Sequence, residues 1–253
     1  MSWSTEIVSQ DSLILYFQTH ENSPDLDAIA LFPQLSEALQ SHFQDRLIEI
    51  IPSYASILLT FNVAASTISQ WQQLTENILG VFDFSERAKQ SAKQLARPID
   101  IPVYYSEQTG PDLQTLAQAK NLSQQEIIQR HSANIYTVYA MGFAPGFAYM
   151  GFVDSHLASP RLPTPRKCVK AGSIGIADRQ TGIYPNDSPG GWNIIGRTAI
   201  DLHISKQPNA SKTFPPNEST QPHQNFLFKV GDTVRFHSVS KAEYLAAGGF
   251  LDE

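Results

Sequence analysis

Hydrophobic positions in the first ninety residues change period several times, and each change marks an element. Leu13 to Phe17 is a short apolar run after an Asp11-Ser12 turn signal, which predicts a strand. Asn22 to Asp25 opens a helix by the capping rules, with an apolar stripe at Leu26, Ile29 and Ala30 and a second at Leu35, Leu39 and Phe43. Pro33 lies between the stripes and predicts a kink or restart. Leu47–Ile51 and Ser56–Phe61 read as two strands joined by a Pro52-Ser53 turn. Ile68, Trp71, Leu74 and Ile78 return to helical spacing, with Ser66 as the cap. The order strand, helix, strand, strand, helix predicts a small N-terminal α+β sandwich, helices laid on one antiparallel sheet.

Residues 83–98 are polar and read as a short helix and linker, which sets a domain boundary near residue 97. The expected domains are therefore 1–97 and 98–253. The second opens on a strand at Ile101–Tyr105. Asp112 caps a helix carrying Leu113, Leu116 and Ala117, and Ser123 with Glu126 forms a capping box for a helix that ends near His131. Beyond it the pattern shortens. From residue 139 to 198, glycine, proline and aromatic residues alternate closely, which describes short strands joined by shaped turns that let backbone approach a ligand or partner. Ile200–Ile204 alternates as a strand, 205–224 is a polar excursion, and Phe226–Phe228 and Thr233–Phe236 flank a Gly231-Asp232 turn. Many short strands with few helices predict a closed or nearly closed β-barrel for the second domain.

Composition narrows the function classes. The chain has 253 residues, enough for one large or two modest domains, with 18 basic and 24 acidic residues and a net charge of −6. That balance argues against a nucleic-acid surface, which needs a clustered basic face. The single cysteine, Cys168, excludes a disulfide scaffold and fits a reducing, cytoplasmic setting. The sequence shows no signal-peptide layout and no apolar run long enough to span a bilayer.

Most familiar motifs fail. Ala171-Gly-Ser-Ile-Gly175 has alanine where a serine-hydrolase elbow needs glycine, and no helix pattern follows. The glycines at 142, 146 and 151 do not make a dinucleotide fingerprint, and no phosphate loop of the GxxxxGK[ST] type occurs. The seven histidines show no metal-ligand spacing. What survives is a constellation of His131, Arg161, Arg166, Gln180, Thr181, Tyr184, Ser188 and Trp192. One reading is a groove in which two arginines hold carboxylate or phosphate groups between walls of Tyr184 and Trp192. The other leaves the arginines as solvated turn residues and the aromatics as barrel core.

Three blocks carry a resemblance. They are Tyr136-Thr-Val-Tyr-Ala-Met-Gly-Phe-Ala-Pro-Gly-Phe-Ala-Tyr-Met-Gly151, Gln180-Thr-Gly-Ile-Tyr-Pro185 and Ser188-Pro-Gly-Gly-Trp-Asn-Ile-Ile-Gly-Arg-Thr198. They closely resemble the family of 5-oxoprolinase B subunits, which includes the sporulation-kinase inhibitor KipI and is also called allophanate hydrolase subunit 1. Pro165-Arg166, Ala171 to Ala177 and Gly231 to Phe236 fit the same pattern, so the match spans roughly residues 11 to 236, nearly the whole chain. Asp201-Leu-His-Ile-Ser-Lys206 departs from the family's apolar-aromatic-Asp ending.

The resemblance implies an N-terminal α+β domain and a C-terminal cyclophilin-like β-barrel. It also implies a shared activity, in which the B subunit works with the A and C subunits to couple ATP hydrolysis to the opening of 5-oxoproline to glutamate. ATP is then shared by the complex, which accounts for the missing phosphate loop. On this view Arg166 or Arg161 neutralises charge on the activated lactam and His131 moves a proton. Arg161, Gln180, Thr181, Tyr184, Ser188 and Trp192 would line the substrate or partner groove. Two other readings remain. One is a regulatory module that docks on a histidine kinase, as the KipI members imply. The other is a carboxyltransferase part related to a domain of urea carboxylases, although no carrier-lysine motif is present.

Overall fold

Alternation along Ser12–Phe17 sends Leu13, Leu15 and Phe17 to one face, and the computed structural model buries all three. It describes residues 2–18, 26–84, 97–203 and 225–251. The predicted start of the first helix at 22–25, most of the 83–98 linker and the whole 205–224 excursion lie outside those residues. The chain divides into two compact units, Met1–Ala96 and Arg97–Glu253.

In the first unit the strands are β1 (Trp3–Ile7), β2 (Ser12–Phe17), β3 (Leu47–Ser53) and β4 (Ser56–Phe61), and the helices are α1 (Leu26–Phe43) and α2 (Ile68–Val81). The strands are antiparallel in the order β1-β2-β4-β3. Leu59 pairs with Leu13 and Ile57 with Leu15, so one face carries a continuous apolar row. Buried residues of α1 (Ile29, Phe32, Leu35, Leu39 and Phe43) and of α2 (Trp71 and Leu79) complete this unit's core, where the Phe61 and Trp71 rings stack at 5.4 Å.

Three local expectations shift. α1 runs unbroken through Pro33, because burial at three- and four-residue spacing on both sides outweighs the missing amide bond. Pro52 lies inside β3, and the hairpin turns instead at Tyr54-Ala55. Thr67, not Ser66, caps α2, through a capping box with Gln70.

The second unit contains strands β5 (Ile99–Val103), β6 (Ile135–Met141), β7 (Ala148–Gly151), β8 (Arg166–Val169), β9 (Ser173–Ala177), β10 (Gln180–Ile183), β11 (Ser188–Gly190), β12 (Asn193–Arg197) and β13 (Thr233–Ser238). Its helices are α3 (Leu113–Lys120), α4 (Gln124–Ala133) and α5 (Lys241–Ala246). The main sheet runs β5-β13-β6-β7-β10-β9-β12, parallel only at β5–β13, while β11 and β8 form a separate ribbon. The Ser123–Glu126 capping box starts α4 as expected. Ile200 to His203 is not a strand; an isolated bridge joins His203 to Phe226. Ile101, Val103, Val138, Ile174, Ile176, Ile183, Ile195 and Phe236 lie in the main core.

The expected cyclophilin-like closed β-barrel is not found. Among the described residues the sheet is open: its end strands β5 and β12 are linked only by the isolated bridge Tyr104–Arg197. The reason lies at the free edge of β12. Asp112 donates its amide to the Ile194 carbonyl at 3.0 Å, and its carboxylate accepts the Ile194 amide at 2.6 Å. A turn therefore satisfies the edge where closure would need a strand. Gly110 permits this approach, since a Cβ there would lie 2.1 Å from the Ile195 carbonyl carbon. The fold is mixed α+β with open sheets. Among the described residues no helix is long and apolar enough to cross a membrane.

Candidate functional site

The two faces of the β9–β10 pair separate the predicted site residues. Thr181 and Ile183 on β10, with Ile174 and Ile176 on β9, point to the main core. The alternate positions are small: Gly182 pairs with Gly175, and Ala177 follows on the same face. A Cβ at Gly182 would lie 3.2 Å from the Phe147 ring and 3.3 Å from the Trp192 ring, and one at Gly175 would lie 2.9 Å from the Trp192 Cβ. The two glycines therefore make a flat bed on which aromatic rings rest.

On that bed sits a second apolar cluster of Phe147, Val169, Ala177, Tyr184, Trp192 and Ile194. The Phe147 ring meets Trp192 edge-on at 5.4 Å and Tyr184 at 5.4 Å, favourable geometries for aromatic pairs. Two rings form its rim. Phe143 touches Phe147 and Tyr184 yet is 63 % exposed, and half-buried Tyr149 touches Phe147 and Trp192. Gly190 keeps the floor tight, because a Cβ there would meet the Tyr184 hydroxyl at 2.3 Å.

Arg161 stands at the rim. Its neighbours are fixed: the Asn193 side-chain amide donates to the Pro160 carbonyl at 2.9 Å, and the Leu162 amide donates to the Gly191 carbonyl at 2.7 Å. Those two anchoring residues flank Trp192 in sequence. The Arg161 side chain is exposed and makes no hydrogen bond or ion pair among the described residues. Burial pushes the Tyr149 and Tyr184 hydroxyls up, and the Arg161 guanidinium partly opposes this at both.

Arg166 has a different role. Its Nη2 donates to Asp112 Oδ1 at 2.6 Å, and the other Asp112 oxygen is the one that holds Ile194. The pair ties β8 to the start of α3 and the edge of β12. Arg166 Nη1 and Ser188 Oγ are buried with no partner among the described residues. Gln180 is half-buried at the start of β10, paired in register with Gly151 and Ala177.

His131 lies on the opposite side of the sheet. It is fully buried in the last turn of α4, between the Tyr136 and Phe236 rings. Thr181 donates to the Gly175 carbonyl at 3.0 Å, so its oxygen is free to accept from His131 Nε2–H at 2.9 Å. Nδ1 then accepts from the Tyr105 hydroxyl at 2.8 Å. Burial lowers the imidazole pKa to about 3, which keeps it neutral. A group with both nitrogens bonded in the core is a satisfied structural histidine, and it does not share a surface with Arg161.

Thus Arg161, Tyr184 and Trp192 come together, Ser188 and Arg166 lie in the adjoining ribbon, and His131 and Thr181 form a separate core chain. Phe143 and Tyr149 were missed by the residue-type constellation, although both lie in the glycine-rich block that carries the resemblance. Among the described residues, no group of three histidine, cysteine or acidic side chains is placed to hold a metal.

The family model of the carboxyltransferase domain, subdomain C and D, matches residues 3–212. The chain is 35 % identical over 207 residues to the B subunit of 5-oxoprolinase from Bacillus subtilis, covering 79 % of this chain and 78 % of that one. It is 44 % identical over 140 residues to the corresponding 5-oxoprolinase B subunit of Haemophilus influenzae, covering 55 % and 59 %. Among solved structures, TTHA0988 superposes with a TM-score of 0.68 at 28 % identity, covering 94 % of this chain but 40 % of that one. PH0987 from Pyrococcus horikoshii gives 0.52 at 28 %, covering 95 % and 100 %. The Kluyveromyces lactis urea carboxylase gives 0.66 at 14 %, covering 96 % and 22 %, which shows the fold alone.

Proposed function

The chain belongs to the family of 5-oxoprolinase B subunits, and from that premise we propose that it is one component of an ATP-dependent enzyme that opens 5-oxo-L-proline to L-glutamate. The observation that carries the reading is the 35 % identity to the Bacillus subtilis protein over 78 % of its length. In this reading the chain works with the A and C subunits of the complex.

The site's charge supports a shared activity. A lactam carbonyl resists water, and ATP would supply its activation. A triphosphate needs several cationic or amide donors, whereas among the described residues Arg161 is the exposed cation beside the aromatic cluster and Arg166 is engaged by Asp112. In this reading ATP binding belongs to the assembly rather than to this chain alone.

The test is 5-oxoproline- and ATP-dependent glutamate formation with this protein alone and then mixed with the C and A subunits. Glutamate formed only in the mixture is the expected result. No glutamate in any mixture, with the partners folded and bound, would overturn the proposal and favour the kinase-docking role of the KipI members.

A further inference from the structure

We infer that a cavity walled by the β8–β9 turn, the segment after β12 and the chain beyond α5 binds a small organic ammonium, with the Asp201 carboxylate, His203 Nε2 and the Asn186 side-chain oxygen as its polar contacts. The inference goes beyond the reading above and does not rest on it. The cavity measures about 240 Å³ and shares no residue with the aromatic cluster around Phe147. Pockets for drug-sized ligands run from roughly 300 to 1,000 Å³, so a ligand here has only a few heavy atoms.

Hydrogen bonds fix the walls. The Gly172 amide donates to the Tyr184 carbonyl at 2.7 Å, and the Gly172 carbonyl accepts the Thr198 amide at 2.9 Å. The Ala171 amide donates to Asp187 Oδ1 at 2.8 Å. Beyond α5, the Gly249 amide donates to the Tyr244 carbonyl at 2.9 Å, and the Tyr244 hydroxyl donates to the Phe250 carbonyl at 3.0 Å. Gly172 lies at φ +79°, and a Cβ there would lie 2.3 Å from the Thr198 carbonyl oxygen, so glycine is what lets the two segments meet. A cavity already held in this way leaves little ordering to be done on binding.

The polar lining is rich in acceptors. His203 Nδ1 and the His203 backbone amide both meet Asp201 Oδ1 at 2.9 Å. A carboxylate can only accept, so Nδ1 carries the proton, and Nε2 of the neutral ring presents its lone pair. Nε2 has no partner among the described residues, and the Phe226 ring packs against the imidazole at 4.9 Å. The Asn186 side chain is exposed and makes no hydrogen bond among the described residues. Three acceptors match the three N–H bonds of one ammonium, and Asp201 supplies the opposite charge. The neighbouring cations do not line the cavity: Lys170 is held by Asp187 at 3.0 Å, and the Arg197 guanidinium lies 4.8 Å from the centre of the Phe250 ring. Pro185, Ile200 and the half-exposed Phe250 give a short apolar stem something to lie on.

The experiment titrates three probes of similar size, n-butylammonium, 1-butanol and butanoate, into the full ¹⁵N-labelled chain and follows backbone amides by NMR. Butylammonium is expected to saturate in the millimolar range, to shift the amides of Gly172, Ala199 and Gly248, and to bind at least about tenfold more tightly than 1-butanol. Butanoate should not bind. Asp201→Asn keeps an oxygen for the His203 Nδ1 proton but removes the charge, and should bring butylammonium down to the affinity of 1-butanol. His203→Phe keeps a ring against Phe226 but removes the Nε2 acceptor, and should weaken butylammonium about threefold.

The amide spectrum of each variant shows whether it is folded. If Asp201→Asn is not, the comparison of the three probes on the wild-type protein decides alone. The inference is overturned if butylammonium does not saturate, if 1-butanol or butanoate binds as well, or if the shifts map to residues outside this cavity. A folded Asp201→Asn that keeps the preference for the ammonium overturns it too.

Discussion

Phe143 isolates what a single residue contributes. Replacing it by alanine removes the ring but keeps a Cβ at φ +70°, whereas replacing it by glycine removes both the ring and the steric conflict. A left-handed L-residue costs roughly 1–2 kcal/mol. Phe143→Gly is therefore expected to be more stable than Phe143→Ala by about 1 kcal/mol in urea denaturation, even after glycine's larger unfolded-state entropy is allowed for. Equal midpoints would remove the strain from the account of the turn. Arg161, Tyr184 and Trp192 were legible as a group because their residue types are conspicuous among glycines. Phe143 and Tyr149 were not, since an aromatic in a hydrophobic block reads as core until its exposure is known. His131 was legible as a chemical group but not in its location: nothing local in sequence says that the end of α4 faces the Tyr105 hydroxyl and Thr181.

At the level of elements, the start of α3 is held by a long-range pair. Asp112 is the N-cap by position, yet its side chain makes no capping bond and reaches Arg166 and Ile194 instead. Arg166→Ala leaves a nearly buried carboxylate with the Ile194 amide alone, and should cost about 2–3 kcal/mol, less than a fully buried pair because the guanidinium is 30 % exposed. A double-mutant cycle with Asp112→Ala should give a coupling of at least ~1 kcal/mol, and additive losses would show that the contact holds nothing together. The same residues explain which elements sequence could deliver. Helix caps such as Ser123–Glu126 are settled within four residues, so they were readable. Closure of a barrel depends on what occupies the edge of β12, and that is settled by Asp112, eighty-two positions from Ile194. Short strands and turn signals were present, but the partner at that edge was not written locally.

For the molecule as a whole, buried titratable groups set how stability responds to acid. His131 has a native pKa of about 3, against 6.5 for an ordinary imidazole. Between those values the unfolded chain binds a proton that the folded unit excludes, so stability falls as pH drops from 6.5. One such group gives a slope of up to about 1.4 kcal/mol per pH unit, or roughly 2 kcal/mol between pH 6.5 and 5. Asp154 acts lower down. The His156 backbone amide and side chain, with Arg130, hold its carboxyl at about 2, so its contribution is intact above 3.8 and is lost as pH falls through 2. Asp232 has the opposite sign: burial raises its carboxyl, so its contribution declines as pH climbs through its titration. His131→Gln keeps a donor and an acceptor but cannot charge. The three tryptophans are Trp3, Trp71 and Trp192, so replacing the first two by phenylalanine leaves a fluorophore that reports the unit 97–253 alone. Urea midpoints followed by Trp192 emission should fall from pH 6.5 to 5, and His131→Gln should flatten that fall by about 2 kcal/mol. An unaltered slope in the variant would mean that His131 is reached by protons in the native state. Its exclusion from the surface chemistry at Arg161 would then have to be withdrawn.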